Sequence, residues 1–239
     1  MGKQFTDYAE IYDELFSAAM DYDQEVTFYD GILRKNKCKS ILEVGCGVGH
    51  RGKLFIDKGY KYTGLDISEA MLRIARRKYP EIKFIQGDAR KLSLDEKFDA
   101  IIFVGKGSSY LIEDDDFISA LKSMKKRIDK GVIIIDAFNA DFIIPNFKKN
   151  ISWSQKIGNR TITRKSVNVL NPKYHNSWDR KLTYILEEDG VEKKYNDNAL
   201  LRAFSNNELK KLFANVNIPQ TEIIIQNSHT VIAIGKVAK

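Results

Sequence analysis

The sequence predicts an α/β fold in which a doubly wound, mainly parallel sheet carries an antiparallel β insertion. Between residues 40 and 140, short and nearly continuous apolar runs alternate with amphipathic helical patterns, as in sheets whose faces are both covered by helices. The first apolar run ends in a glycine-rich turn that leads directly into a helical pattern. Beyond residue 150 the helical periodicity gives way to the period-2 alternation of antiparallel strands.

Composition sets the limits of this prediction. The 239 residues suit one domain with an insertion, and 43% hydrophobic residues can fill its core. The chain has no apolar run long enough to span a membrane, and its polar start is unlike a signal peptide, so we expect a cytoplasmic protein. The two cysteines, Cys38 and Cys46, exclude a disulfide framework and a structural zinc site. The net charge of +7 is spread along the chain, which favours solvated lysines over a nucleic-acid surface.

The first 140 residues predict a helix followed by alternating strands and helices. The first helix covers Asp21–Arg34, and Ser68 is expected to cap a later helix at its N-terminus. The predicted strands are Ile41–Val44, Tyr60–Leu65, Ile82–Gln86, Phe98–Val104 and Val132–Ala137. The predicted helices between them are Arg51–Lys58, Glu69–Lys78 and Asp115–Ile128.

The last hundred residues predict an antiparallel sheet, one helix and a closing hairpin. Gly158-Asn159 and Asp189-Gly190 are typical hairpin turns, and Ser205 with Glu208 forms a capping box. The predicted elements are strands Arg160–Val169, Lys181–Glu187 and Ala199–Phe204, helix Asn206–Ala214, and strands Thr221–Gln226 and Thr230–Val237. We therefore expect one domain over residues 1–239. Its parts are a helical cap (1–39), a ligand-binding core (40–140), an insertion over the active site (151–204) and a closing segment (205–239).

The glycine-rich turn predicts a binding site for a cationic nucleoside. Glycines at positions 45, 47 and 49 let the backbone approach a ligand closely. Glu43 places a carboxylate just before the turn, which would repel a pyrophosphate but would attract a positively charged ligand. S-adenosyl-L-methionine carries such charge on its sulfonium and amino groups.

Two further strand ends carry acidic residues suited to the rest of that ligand. Asp66 ends the second strand about 20 residues after the glycine turn, the spacing typical of a carboxylate that binds ribose hydroxyls. Asp88 follows the third strand and can accept a hydrogen bond from an exocyclic amine, while Ala89 offers a backbone N–H and a small surface beneath a purine.

These motifs resemble those of the class I S-adenosylmethionine-dependent methyltransferases. The resemblance covers residues 40–140 and rests on Leu42–Gly49, Gly64–Ser68, Gln86–Ala89 and Phe98-Asp99. A looser similarity over most of the chain is to the N,N-dimethyltransferases of nucleotide-linked aminodeoxysugars. It rests on Glu10–Asp13, Asp21-Tyr22, Gly107–Leu111, the antiparallel insertion and Leu201–Leu209.

The resemblance implies a Rossmann-like seven-stranded sheet of order 3-2-1-4-5-7-6 and a homodimer. It also implies that Tyr12 and Tyr110 act at the catalytic centre, with Tyr110 standing where the aminosugar enzymes carry a histidine. The expected cofactor-binding residues are Tyr22, Glu43, Gly45, Cys46, Gly47, Asp66, Ile67, Asp88, Ala89 and Val104. No metal site is expected.

The predicted function is S-adenosylmethionine-dependent methylation of a small molecule at an amine nitrogen, with a nucleotide-linked aminosugar as one candidate acceptor. Three alternatives stay open at this point: a methyltransferase acting on RNA or DNA, a nicotinamide-dependent oxidoreductase, and a non-catalytic S-adenosylmethionine-binding protein. Asp136, Asn139 and Asp141 indicate metal-dependent O-methylation only weakly, because polar residues at strand ends usually form hydrogen bonds with local backbone groups.

Overall fold

The computed structural model describes residues 2–238, so residues 1 and 239, the ends of the predicted single domain, lie outside the described residues. The chain starts with a 3₁₀ turn, Lys3–Phe5, and two helices, α1 (Ala9–Ala19) and α2 (Tyr22–Lys35). Asp21 caps α2 by accepting a hydrogen bond from the Gln24 backbone N–H at 2.8 Å. The sequence predicted α2 but not α1.

The central sheet follows, with strands and helices in alternation. The strands are β1 (Ser40–Val44), β2 (Lys61–Asp66), β3 (Lys83–Gln86), β4 (Ala100–Phe103) and β5 (Gly131–Phe138). The helices are α3 (His50–Asp57), α4 (Glu69–Lys78) and α5 (Asp114–Lys125). All pairings among these five strands are parallel, so their carboxyl ends meet at one edge of the sheet.

The end of the chain completes this sheet. A short helix, α6 (Ala140–Ile143), leaves β5. Later, α7 (Asn206–Ala214) opens with the predicted capping box. β11 (Thr230–Val237) pairs antiparallel with β5, and β10 (Thr221–Asn227) pairs antiparallel with β11. The strand order β3-β2-β1-β4-β5-β11-β10 confirms the predicted order. Buried apolar residues form one cluster on each face of the sheet.

The insertion is a second, four-stranded antiparallel sheet, which we call the covering sheet. Its strands are β6 (Asn150–Ile157), β7 (Arg160–Leu170), β8 (Ser177–Glu188) and β9 (Val191–Arg202). Both predicted two-residue turns join hairpins, and Gly158, Asp189 and Gly190 have positive φ there. The sequence did not predict β6, a largely exposed edge strand from which Trp153 and Ile157 pack against the cluster under the covering sheet.

Two contacts hold the covering sheet over the carboxyl edge of the central sheet. Leu15 of α1 is fully buried in a cluster with Ile162, Leu182 and Tyr184 of the covering sheet. Where β9 ends, the Phe204 N–H donates to the Phe138 carbonyl at 2.9 Å. The covering sheet, α1 and the first turn therefore enclose the edge at which the sequence motifs lie. Within residues 2–238, none of the helices combines the length and hydrophobicity that a membrane span requires.

Candidate active site

A cavity of about 360 Å³ opens at the carboxyl ends of β1, β2, β3 and β4, which is within the range of roughly 300–1,000 Å³ for small-molecule sites. The segments that follow all four strands contribute to its wall. Every predicted site residue except Glu43 lines it: Tyr12, Tyr22, Gly45, Cys46, Gly47, Asp66, Ile67, Asp88, Ala89, Val104 and Tyr110. The fold thus brings together residues that are nearly a hundred positions apart in the sequence.

The glycine turn between β1 and α3 forms the floor of this cavity. Gly49 has φ +83° and is the N-cap residue of α3. A Cβ at this position would lie 2.5 Å from Cζ of Phe84 on β3. Only glycine therefore lets the turn pack this closely against the neighbouring strand.

Asp66, at the end of β2, fastens the glycine turn from the other side. One carboxylate oxygen accepts the Gly47 N–H at 2.8 Å, and the other accepts the Ser68 N–H at 2.8 Å. Burial raises the pKa of Asp66, against the lowering by these backbone hydrogen bonds. Because each carboxylate oxygen has a second lone pair, Asp66 can hold the turn and still accept hydrogen bonds from a ligand.

Glu43 does not take the place that the sequence predicted for it. It is fully buried, where Arg51 Nη1 donates to one carboxylate oxygen at 3.1 Å and Tyr62 Oη donates to the other at 2.6 Å. Arg51 also binds Glu25 of α2 at 2.9 Å and itself lines the cavity. The Glu43 carboxylate therefore stabilises Arg51 from behind, and the cavity wall at this point is a guanidinium held by two carboxylates.

We expect Glu43 to make stability depend on pH. Burial raises its pKa from the ordinary 4.5 to about 7, so the unfolded chain releases this proton at lower pH than the folded chain. The stabilisation from this protonation is fully present below the pKa of the unfolded chain and is lost as pH rises through the pKa of the folded chain. The free energy of unfolding should therefore fall by about 3 kcal/mol between pH 4.5 and 7. Chemical denaturation of wild type and Glu43→Gln across this range should show the difference between their free energies of unfolding falling as pH rises and levelling above pH 7. A difference that stays constant with pH would contradict it.

Asp88, after β3, is paired within the cavity wall. Arg90 binds its carboxylate through Nη2 at 2.6 Å, and this hydrogen bond is the main reason that the pKa of Asp88 is lowered. Arg90 also binds Asp116 of α5 at 3.1 Å. Asp88 therefore stays ionised and is held at the cavity by a neighbour that the sequence analysis did not single out.

Aromatic side chains form a further part of the cavity wall. The Tyr12 ring of α1 packs against Phe5 with a centroid distance of 5.2 Å, and Phe5 packs edge-on against Tyr110 at 5.6 Å. Tyr22 packs on His50 at 4.9 Å and under the Arg51 guanidinium at 5.5 Å. Burial raises the pKa of Tyr12 far above its ordinary value and that of Tyr22 to about 12, so both phenols stay protonated near neutral pH.

The Tyr110 hydroxyl lies in a hydrogen-bond network that reaches into the covering sheet. Gln4 Nε2 donates to it at 2.9 Å and Arg180 Nη2 donates to it at 3.3 Å. The side-chain oxygen of Gln4, Oε1, in turn accepts a hydrogen bond from Tyr184 Oη at 2.7 Å. Gln4 is buried, and the Asp197 carboxylate accepts its backbone N–H at 2.9 Å.

Sequence reasoning missed His50, Arg51, Gln4 and Arg180. His50 lines the cavity, and its ring nitrogens bind Asp13 Oδ1 and the Tyr79 hydroxyl, both at 2.9 Å. His50 and Arg51 follow the glycine turn directly, so their place at the start of α3 could have identified them. Gln4 and Arg180 carry no such signal, because they reach the site only through long-range contacts.

Comparison with known proteins identifies the central part of the chain. Residues 41–131 match the methyltransferase domain family. A dTDP-4-amino-2,3,4,6-tetradeoxy-D-glucose N,N-dimethyltransferase of Saccharopolyspora spinosa is 31% identical over 132 residues, which are 54% of this chain and 53% of that protein. The chain spans about half the length of the curated relatives it matches.

Solved structures share the whole fold. DesVI of Streptomyces venezuelae matches with a TM-score of 0.85 at 22% identity, over 98% of this chain and 99% of that one. An amino pentose methyltransferase of Micromonospora echinaspora, solved with bound S-adenosylmethionine, matches with a TM-score of 0.78 at 18% identity over 97% of each chain. Residues 41–131 are therefore similar to the methyltransferase domain family, and the chain as a whole has the fold of these solved methyltransferases.

Proposed function

We propose that this protein transfers a methyl group from S-adenosyl-L-methionine to an amine nitrogen of a small molecule, with nucleotide-linked aminosugars as the first acceptor class to examine. One observation carries the proposal. The glycine turn, Asp66, Asp88 and the three tyrosines 12, 22 and 110 line a single cavity. The activity of the Saccharopolyspora relative, N,N-dimethylation of a dTDP-linked aminosugar, supports nitrogen as the acceptor atom.

The residues present fit this cofactor. Asp66 has free acceptor capacity for the two ribose hydroxyls, and the small side chain of Ala89 leaves room for a flat base beside Asp88. The aromatic rings of Tyr12 and Tyr22 line the cavity and suit a positively charged group bound beside them. When bound, the cofactor supplies an activated methyl group on a cationic sulfur.

The chain's own contribution to catalysis is to position the reactants and to exclude water. Holding two reactants in a near-attack geometry can supply on the order of 7–11 kcal/mol of a barrier. The first turn and α1 contribute Phe5 and Tyr12 to the cavity wall, and the network of Gln4 and Arg180 fixes the position of the Tyr110 hydroxyl. In this proposal Tyr110 orients the acceptor rather than removing its proton, because burial raises the pKa of Tyr110.

The proposal is tested by measuring S-adenosylhomocysteine release with a panel of small amines and nucleotide-linked aminosugars. Calorimetry with the methyl donor is run in parallel. Binding together with release on at least one amine supports the proposal. Binding without release on any amine would favour the non-catalytic alternative, and absence of binding would overturn the assignment altogether.

We expect Tyr110→Phe to lower kcat/KM for the productive acceptor by about tenfold and Tyr110→Ala by about a hundredfold. The first loses the hydroxyl hydrogen bond and the second also loses the packing against Phe5. Donor affinity measured by calorimetry serves as the internal control, since neither change touches the glycine turn. If both variants keep the wild-type kcat/KM, Tyr110 has no such role.

We also propose that the protein works as a cytoplasmic homodimer of single-domain subunits and does not act on nucleic acid. Light scattering coupled to size-exclusion chromatography tests the dimer. Nucleic-acid binding would appear as an affinity for RNA or DNA that falls steeply with salt, because binding to phosphates releases counterions.

A further inference from the structure

Two arginines lie on the inner face of the covering sheet. Arg164 of β7 pairs in register with Tyr184 of β8, and Arg180 lies four residues before Tyr184 on the same strand. Side chains at even spacings along a strand share a face, so both guanidinium groups lie on the side of Tyr184, which faces α1 and Gln4.

Neither arginine has a carboxylate to balance its charge. Among residues 2–238 the arginines at 51, 160 and 202 each form an ion pair, whereas Arg164 and Arg180 form none. Both are half-buried, and the Nε atom of each is buried without a hydrogen-bond partner. Burial lowers the pKa of Arg180, and the nearby charge of Arg164 lowers it further.

A carboxylate close to this network, that of Asp197, is already occupied. Asp197 accepts the backbone N–H groups of Lys3 and Gln4 at 2.9 Å and that of Asn198 at 2.8 Å. Two half-buried like charges without a counter-ion are unfavourable. Arg164 and Arg180 therefore form a site that an anion from outside the chain would complete.

The Tyr110 hydroxyl indicates the same chemistry. Both of its acceptor positions are taken, by Gln4 Nε2 and Arg180 Nη2, so it can only donate its proton to a ligand. A proton donated to the reacting nitrogen would occupy the lone pair that must attack the methyl group. The partner of Tyr110 is therefore better an oxygen, and a negatively charged oxygen would also satisfy the guanidinium next to it.

We propose that the methyl acceptor carries an oxyanion group, a carboxylate or a phosphate, which binds to the Tyr110 hydroxyl and the Arg180 guanidinium, with Arg164 adding positive charge. This inference rests on the proposed function and narrows its acceptor to anionic amines. Arg180 is then a specificity-determining residue that holds the anionic end of the acceptor, while the amine end lies towards the methyl donor.

The test uses the full chain saturated with S-adenosylhomocysteine, titrated in a calorimeter with sodium pyrophosphate and, separately, with sodium acetate at matched ionic strength. We expect saturable binding of at least one probe. The probe that binds more tightly identifies whether the anionic group of the acceptor is a phosphate or a carboxylate. Arg180→Gln should weaken it by about tenfold to a hundredfold, and Arg180→Lys by less, because lysine keeps the charge.

Lys181→Gln is the matched control, since it removes the same charge from the next residue of β8, which is exposed and on the opposite face. It should leave probe affinity within about twofold. If Arg180→Gln does not fold, Arg164→Gln takes its place with a smaller expected loss. The inference is overturned if neither probe saturates, or if the arginine variants bind the probe as Lys181→Gln does. Failure of the proposed function would appear separately, as absence of S-adenosylhomocysteine binding before any probe is added.

Discussion

Replacing Asp66 with alanine should weaken the binding of S-adenosyl-L-methionine at least a hundredfold. The change removes the carboxylate proposed to accept both ribose hydroxyls, and hydrogen bonds to a charged group contribute about 1.5–3 kcal/mol each. It also leaves the Gly47 and Ser68 N–H groups without their acceptor, so the glycine turn loses its anchor. We expect the dissociation constant measured by calorimetry to rise at least a hundredfold.

Two further variants separate the lost ligand contact from a general loss of structure. Asp66→Asn keeps one acceptor oxygen but turns an amide donor towards one of the two backbone N–H groups, so it should bind more weakly than wild type and more tightly than Asp66→Ala. Asp57→Ala removes an exposed carboxylate at the end of α3 and should bind like wild type. If Asp66→Ala remained folded and bound the donor within twofold of wild type, about 0.4 kcal/mol, the ribose assignment would be untenable.

The sequence was sufficient where the determinants of structure are local. Each predicted central strand is a short apolar run followed by a turn, and the structure places all five within a few residues of the predicted bounds. The glycine turn, Asp66 and Asp88 could be located because the carboxyl ends of parallel strands meet at one edge. Their spacing in the chain therefore determines their place in the cavity.

The sequence was not sufficient where a side chain's partner comes from elsewhere in the chain. Glu43 has the position expected of a ligand-facing carboxylate, but Arg51 and Tyr62 bind it, and no local pattern reveals that pairing. Arg180 reaches Tyr110 only because the covering sheet folds over the cavity and brings together residues 70 positions apart. Long-range electrostatic pairing of this kind depends on the assembled fold and leaves no periodicity in the sequence.

Gly49→Ala should destabilise the protein by about 2–5 kcal/mol and impair donor binding. The left-handed backbone at φ +83° costs a residue with a Cβ roughly 1–2 kcal/mol, and the new methyl group would lie 2.5 Å from Cζ of Phe84, an overpacking worth typically 1–3 kcal/mol. Phe84 is buried on β3 and cannot move without disturbing the sheet. The glycine turn must then shift, and the cavity floor that it forms shifts with it.

Two other glycines make the physical cause testable. Gly47 also has positive φ, at +56°, but a Cβ there would meet nothing within 4 Å, so Gly47→Ala should show the backbone strain without the clash. Gly31 lies inside α2 with open space around it, and Gly31→Ala should stabilise the helix by about 0.5–1 kcal/mol. Denaturant titration should therefore rank the free energies of unfolding as Gly31→Ala above wild type, then Gly47→Ala, then Gly49→Ala. Equal losses at positions 47 and 49 would mean that strain alone limits the turn, and that close packing against Phe84 does not hold the cavity floor in place.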